Sequence, residues 1–88
     1  MNVAFDPGKN AVNLAKHGLS LSEAVEFDFA TAVVTLDDRF DYGEVRYRAY
    51  CHVEGQGRCL VFTVIDTSTI RVISYRRARQ KEMTRHGL

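Results

Sequence analysis

Side chains that bind phosphate and exchange protons alternate with apolar ones in the segment VRYRAYCHV, residues 45–53. Successive side chains of a strand point to opposite faces, so one face carries a polar row: Arg46, Arg48, Tyr50 and His52. Guanidiniums hold phosphates with fixed donors, an aromatic ring can stack on a base, and an imidazole titrates near neutral pH. The pattern predicts a surface for nucleic acid, although a plain solvent-facing strand shows the same alternation.

A second concentration of positive charge lies in RVISYRRARQKE, residues 71–82. Residues 71–88 contain six Lys and Arg against one acid, whereas residues 1–70 contain six against ten, so a chain of net charge +1 is strongly polarised. The segment begins like a strand at Arg71 and is predicted to continue as a helix from near Arg77. Such a block is typical of a solvated helix face, or of a surface that binds phosphates or an acidic partner.

The chemistry that these residue types allow is phosphodiester cleavage. The motifs GxxxxGK, GxGxxG, HExxH and paired CxxC do not occur, so nucleotide-loop and common metal chemistries have no positive support. Cutting RNA without a metal requires a base for the ribose 2′-OH, cations for the developing negative charge and an acid for the 5′-oxygen. Arginine meets the second need, and His or Glu the first or third, so we expect no metal and no cofactor.

The acidic segment DDRFDYGE, residues 37–44, has no apolar periodicity and is predicted to be a loop. Its four carboxylates lack the spacing and the glycine of an EF-hand: Asp37, Asp38, Asp41 and Glu44. A solvated acidic loop is therefore favoured over a cation site. Asp38 or Glu44 could still orient a neighbouring arginine.

The length and composition indicate one compact domain, residues 1–88, because two cores cannot be built from so few residues. No apolar run has the roughly 20 residues of a membrane helix, and the N-terminus lacks the pattern of a signal peptide, so we expect a cytoplasmic protein. Cys51 and Cys59 flank a predicted hairpin turn, whose register decides whether they could face each other. In such a compartment two buried, reduced thiols are favoured over a disulfide or a zinc site.

The elements predict an α+β fold of helix, helix, mainly antiparallel strands and a final helix. Asp6 and Pro7 mark a helix start, and Gly18 marks its end, where His17 could serve only to complement the helix dipole. SLSE, residues 20–23, fits a capping box that opens a second helix. The apolar stripe of this second helix consists of Leu21, Ala24, Val25 and Phe29. CLVFTVI, residues 59–65, is apolar on both faces and is predicted to be the central strand.

Three segments in this order resemble BrnT-type toxins, the ribonuclease half of a bacterial type II toxin-antitoxin pair. They are FDPGKNAVNLAKHGLS followed by EA, then DDRFDYGEVR, then RVISYRRA with a glutamate four residues on at Glu82. Members typically read RIISARKA in the third segment. The residues that match this motif are Arg71, Ser74, Arg76, Arg77, Ala78 and Glu82. Tyr75 stands where the family has a small residue, so its ring could narrow the site or stack on a base.

The resemblance implies a RelE/ParE-like fold, with two N-terminal helices on a three- to four-stranded, mainly antiparallel sheet and a C-terminal helix. It also implies an endoribonuclease that arrests growth and is neutralised by a small DNA-binding antitoxin of the BrnA type, in a toxin dimer or a 2:2 complex. His17 and Glu44 are carried over from the motifs as acid-base residues, and the sequence does not decide which of them moves a proton.

The leading hypothesis is therefore RNA cleavage by 2′-OH attack, which leaves a cyclic phosphate and a 5′-hydroxyl. The predicted phosphate ligands are Arg46, Arg71 and Arg76. Two further arginines are expected to make outer contacts, Arg39 and Arg77. The remaining predicted RNA contacts are Arg48, Tyr50, His52, Ser74 and Tyr75, with His52 a further acid-base candidate. The alternative is a binding module without catalysis, whose basic C-terminal segment docks an acidic protein or nucleic acid.

Overall fold

A five-stranded mixed sheet forms the body of the computed structural model, which describes residues 1–88. In chain order the elements are β1 (Asn2–Ala4), α1 (Pro7–His17), a 3-10 helix (Leu21–Glu26), β2 (Val33–Leu36), β3 (Tyr47–Val53), β4 (Gln56–Asp66), β5 (Thr69–Arg77) and α2 (Gln80–Arg85). The strand order is β1-β5-β4-β3-β2, and only the β1-β5 pair is parallel. The α+β class and the central position of β4 are confirmed, while the expected three to four strands are five.

The first helix has the ends that its sequence predicts. The Asp6 carboxylate accepts a hydrogen bond from the Lys9 backbone N–H at 2.9 Å, and Pro7 takes the first helical position. Gly18 ends the helix at φ 71°, a left-handed conformation that favours glycine. These caps place His17 at the last helical position, beside the sheet.

The second helix is a single 3-10 segment, so the prediction of an apolar stripe on a second α-helix is wrong in detail. The capping box of Ser20 and Glu23 is present. A 3-10 helix has three residues per turn, which places Leu21, Ala24 and Phe27 on the buried side. Val25 is 71% exposed as a consequence. With the parallel β1, this segment makes the fold differ in detail from the RelE/ParE-like arrangement that the resemblance implies.

The turn between β3 and β4 settles the positions of the two cysteines. Val53 pairs with Gln56, and the two intervening residues, Glu54 and Gly55, both have positive φ. In this register Cys51 faces the main core, and Cys59 lies on the opposite face of the sheet. Both thiols are buried and free, as predicted, and the sheet between them prevents a disulfide.

A β-bulge in β5 changes the face on which its side chains lie. Phe62 pairs with Val72 and the preceding Val61 pairs with Ser74, so Ile73 is an extra residue in β5. Strict alternation would put Arg71 and Arg76 on opposite faces of the sheet. The bulge puts both on the face away from the main core.

The last helix is shorter than predicted and begins later. β5 continues to Arg77, and α2 begins at Gln80 rather than near Arg77, since the β4-β5 pairing extends through the end of the basic run. Met83 packs over Gly57, where an added Cβ would lie 2.8 Å from Met83 Cγ. The close approach seals a small second core on this face, formed by Tyr50, Cys59 and Met83. No helix is long and apolar enough to cross a membrane.

The side chain of Asn13 forms hydrogen bonds with the backbone of β5 beyond the point where the pairing with β1 ends. Its amide nitrogen donates to the carbonyls of Leu19 and Tyr75, each at 2.8 Å, and its amide oxygen accepts from the Tyr75 backbone N–H at 3.2 Å. Asn13 is buried and thus acts as a substitute for the next strand. It holds α1, and with it His17, against the sheet.

We expect Asn13→Ala to lower the free energy of unfolding by about 2 to 3 kcal/mol, because buried backbone groups of Tyr75 and Leu19 lose their partners. Urea unfolding measures the change, with Val12→Ala as the control because Val12 is an exposed neighbour on α1. A loss no larger than that of the control would show that the Asn13 side chain does not hold the edge of β5.

Candidate active site

A cleft lies on the face of the sheet opposite the main core, between the C-terminal end of α1, the loop after β2 and the C-terminal half of β5. This arginine cleft has a volume of about 240 Å³. Six of the residues singled out in the sequence line it: His17, Arg39, Arg46, Arg48, Ser74 and Arg76. The other lining residues are Lys16, Asp37, Tyr42, Cys59, Val61 and Ile73. Five cations against one carboxylate make it an attractive site for a polyanion.

His17 is the titratable histidine of the cleft. Partial burial, aided by the charges of Lys16 and Arg76, lowers the pKa of His17 below its usual value of 6.5. The imidazole is therefore neutral at pH 7 and can accept a proton. Arg77 donates to the His17 carbonyl oxygen at 3.3 Å, so this arginine fixes the end of α1 rather than lining the cleft.

Asp37 is a buried anchor for the rim of the cleft and not a solvated acid as predicted. Its carboxylate accepts two hydrogen bonds from Arg39, from Nε at 2.8 Å and from Nη2 at 2.9 Å, and one from the Tyr42 hydroxyl at 3.3 Å. The hydrogen bonds from Arg39 hold the pKa of Asp37 at about 2. Asp37 therefore stays ionised and keeps Arg39 in one orientation.

Glu44 joins two arginines. It accepts from Arg46 Nε at 2.9 Å, while Arg71 Nη2 lies 2.7 and 2.6 Å from its two oxygens. The Arg46 guanidinium also stacks over the Tyr42 ring, 4.1 Å from its centroid. Both arginines lower the pKa of Glu44, which makes it a poor proton acceptor. Neither Glu44 nor Arg71 lines the cleft. The pair therefore holds the Arg46 guanidinium in position without contributing to the cleft wall.

Arg76 and Glu82 link the sheet to α2. The guanidinium donates two parallel hydrogen bonds, at 2.9 and 2.8 Å, and Glu82 also accepts from the Arg79 backbone N–H at 3.1 Å. These bonds hold the pKa of Glu82 at about 2. The glutamate of the third family-like segment is therefore the residue that orients Arg76 at the cleft wall.

Arg48 differs from the other arginines of the cleft because it has no carboxylate partner. Arg39, Arg46 and Arg76 each form an ion pair, and Arg48 forms none. Its Nε is buried without a hydrogen-bond partner. A buried donor without a partner costs free energy, and a phosphate oxygen that accepts a hydrogen bond from Arg48 would offset that cost.

Four of the predicted RNA-contacting residues lie outside the cleft or within the protein. Tyr50 is 3% exposed beneath α2 and stacks on His86, with ring centroids 4.2 Å apart. Tyr75 is fully buried on the core face, where its hydroxyl donates to Glu26 at 2.8 Å. Because the bulge shifts Tyr75 into the core, the prediction that its ring stacks on a base does not fit. His52 is exposed near the hairpin turn, and Arg77 is exposed beyond the cleft.

Among the lining residues that sequence reasoning missed, three have side chains that bind or orient charged groups: Lys16, Asp37 and Tyr42. A spacing of two residues between an acid and an arginine occurs at both Asp37-Arg39 and Glu44-Arg46 and could have indicated local ion pairs. Tyr42 had no such signal. No three His, Cys, Asp or Glu side chains are grouped so that they could hold a metal ion.

The lowered pKa of Asp37 predicts that the free energy of unfolding depends on pH. The pKa of Asp37 falls from an ordinary 3.8 to about 2 on folding, so its contribution to stability is present above pH 4 and is lost as the pH falls towards 2. We expect Asp37→Asn to lower the free energy of unfolding at pH 7 by about 2 kcal/mol, since one pKa unit corresponds to about 1.4 kcal/mol. The difference from the wild type should shrink as the pH approaches 2.

Urea unfolding between pH 7 and pH 2 measures this effect. Asp38→Asn is the matched control, because Asp38 is exposed and its replacement removes the same charge. Equal stabilities of the two variants at pH 7 would contradict the assignment of Asp37 as an anchor.

The comparisons with known proteins agree with one another. No curated protein sequence matches the chain. The crystal structure of the Brucella abortus ribonuclease toxin, BrnT, is similar, with a TM-score of 0.71 and 29% sequence identity over 91% of this chain and 99% of that one. The family described as ribonuclease toxin, BrnT, of type II toxin-antitoxin system matches residues 5–82. The chain therefore belongs to the BrnT family of ribonuclease toxins, which act in type II toxin-antitoxin systems.

Proposed function

We propose that this toxin cuts RNA in the arginine cleft by attack of a ribose 2′-OH on the adjacent phosphorus, without a metal ion. The observation that carries the proposal is the unpaired guanidinium of Arg48, which lies between the anchored Arg46 and Arg76 in a cleft that also contains His17. Cleavage of cellular RNA in the cytoplasm would then stop translation and growth.

Each group has one role in this reaction. His17 takes the proton of the 2′-OH, and the oxygen attacks phosphorus to form the cyclic ester. Arg48, with Arg46 and Arg76, stabilises the extra negative charge on the phosphoryl oxygens. The bond from phosphorus to the 5′-oxygen breaks, and that oxygen leaves with the electron pair and takes a proton from water. The resulting hydroxide is neutralised by the proton that His17 accepted from the 2′-OH. The products are a 2′,3′-cyclic phosphate and a 5′-hydroxyl.

Preorganisation supports the assignment of the arginines. Asp37, Glu44 and Glu82 hold three guanidiniums in place before any substrate binds, so little reorganisation is needed when charge develops. In this scheme Glu44 positions Arg46 and Arg71 instead of moving a proton. Ser74 contributes a hydroxyl to the wall of the cleft.

We expect His17→Ala to lower kcat/KM for RNA cleavage by about 10²- to 10⁴-fold, which is the usual contribution of a general base. The wild-type rate should fall at acid pH with a midpoint below 6.5, since protonated His17 cannot accept the 2′-OH proton. The control is His52→Gln, because His52 is exposed outside the cleft. An acid limb that persists in His17→Ala would contradict the role of His17.

We expect Arg48→Ala to lower kcat/KM by about 10²- to 10³-fold, as the loss of a charge-stabilising donor does. Arg85→Ala is the matched control, because Arg85 is an exposed arginine on α2 that forms no ion pair. Circular dichroism should show both variants folded. Equal activity of the two would place the phosphate elsewhere.

Cleavage should proceed at an undiminished rate in EDTA. Purified toxin is incubated with RNA in EDTA and, separately, in magnesium, and the products are resolved by electrophoresis. Cleavage only with magnesium would contradict the metal-independent mechanism. RNA that binds but stays intact under both conditions would favour the alternative of a binding module without catalysis.

A type II toxin has a cognate antitoxin, and we propose that this one is a BrnA-like, DNA-binding protein in a 2:2 complex. The excess of cations in the cleft supports a second proposal, that an acidic segment of the antitoxin covers the cleft and excludes RNA. Charge complementarity at such an interface also speeds association.

Hydrogen exchange tests this mode of inhibition. In the complex, we expect protection of the end of α1 and of residues 74–77 of β5, relative to the free toxin. An antitoxin that leaves these amides unchanged and protects only the exposed side of β2, where Val34 and Leu36 lie, would contradict it.

A further inference from the structure

A second groove adjoins the arginine cleft, between α1 and β5, with a volume of about 390 Å³. The groove and the cleft share four lining residues: Lys16, His17, Ile73 and Ser74. The two spaces therefore meet at His17. An RNA whose scissile phosphate lies in the cleft continues away from His17 in both directions. The groove offers one path for the nucleotides on one side of the cut.

The wall that α1 contributes has a pattern of its own. Lys9, Val12 and Lys16 are spaced by three and four residues, so they form one stripe along the helix. Val12 is 66% exposed, so its side chain is accessible to a ligand in the groove. Lys9 and Lys16 are about 10 Å apart along the helix axis, at a rise of 1.5 Å per residue. The stripe presents an apolar surface between two cations.

The opposite wall consists of Ile73 and Ser74, and the bulge in β5 supplies its apolar part. Ile73 is the extra residue of that strand, and it lines both the groove and the cleft. The amide of Asn13 also lies here, but both of its N–H groups donate to backbone carbonyls. No amide hydrogen of Asn13 remains to read the edge of a base.

We propose that this groove binds the nucleotide next to the scissile phosphate, with its base against Val12 and Ile73 and its outer phosphate on Lys9. The inference rests on the proposed ribonuclease activity and names a subsite for its substrate. Val12 and Ile73 offer apolar contacts that any base can make, so the subsite adds affinity with little sequence preference. Asp6 lies at the far end, where it would repel a further phosphate, so the groove holds one nucleotide and not a longer run.

The test compares a minimal substrate with a longer one. Sites cut in total RNA are mapped, and two series of oligonucleotides are made from them: dinucleotides with only the scissile phosphodiester, and versions extended by one nucleotide on the 5′ or the 3′ side. We expect one extension to lower the wild-type KM. Lys9→Gln should abolish most of that gain and leave kcat/KM for the dinucleotide unchanged, since the dinucleotide has no outer phosphate and Lys9 does not line the cleft. Val12→Ser should raise KM for both substrates, since both contain the base that contacts Val12.

Matched controls remove the same groups elsewhere. Lys81→Gln removes an exposed lysine on α2, and Val25→Ser removes a valine that is 71% exposed, and neither residue lines the groove. Binding to an oligonucleotide with a 2′-deoxy group at the cut site gives a second readout. For Lys9→Gln, the slope of log Kd against log salt should fall by about 0.7, the value for one lost phosphate contact on a single strand.

The outcomes separate this inference from the proposed function. If the wild type cleaves the dinucleotide but neither extension changes KM, if Lys9→Gln keeps the gain, or if Val12→Ser leaves KM unchanged for both substrates, the subsite is wrong and the proposed function stands. If the wild type cleaves no RNA, the proposed function itself fails.

Discussion

The single extra residue in β5 determines what lies on the face of the sheet opposite the main core. With Ile73 bulged, Val72 and Tyr75 both face the core, and Ser74 and Arg76 join Arg71 on the other face. A regular strand would have turned Arg76 into the core and Tyr75 out of it. The arginine cleft, the pairing of Arg76 with Glu82 and the neighbouring groove all depend on this one change of register.

Around this strand, carboxylates convert flexible arginines into fixed ones. Asp37 and Glu44 come from the two ends of the acidic loop and Glu82 comes from α2, and each holds a guanidinium at the cleft or behind it. Pairing lowers the net positive charge near the cleft but fixes the direction of the remaining donors. Arg48 is the exception among the cleft arginines, because it forms no ion pair and its buried Nε has no hydrogen-bond partner.

The sequence predicted the parts of this structure that depend on local rules. The caps at Asp6, Gly18 and Ser20, the central β4 and the buried free cysteines all follow from short-range patterns. It also predicted the family, because that rests on the order of three segments.

The errors occur where tertiary structure decides. The bulge at Ile73 depends on pairing with β4, so the fates of Tyr75 and Arg76 could not be read from β5 alone. Tyr50 lies on the predicted face but is covered by α2, a contact that depends on Met83 fitting over Gly57. The role of Asp37 depends on its burial, which the acidic composition of its loop conceals.

The chemical form of the RNA ends tests the central claim most directly. RNA cut by the purified toxin can be examined by mass spectrometry of the fragments on both sides of each cut. Attack by the 2′-OH within the arginine cleft predicts a 2′,3′-cyclic phosphate on one fragment and a 5′-hydroxyl on the other. Fragments that carry a 3′-hydroxyl and a 5′-phosphate would show that water is the nucleophile and would contradict the account.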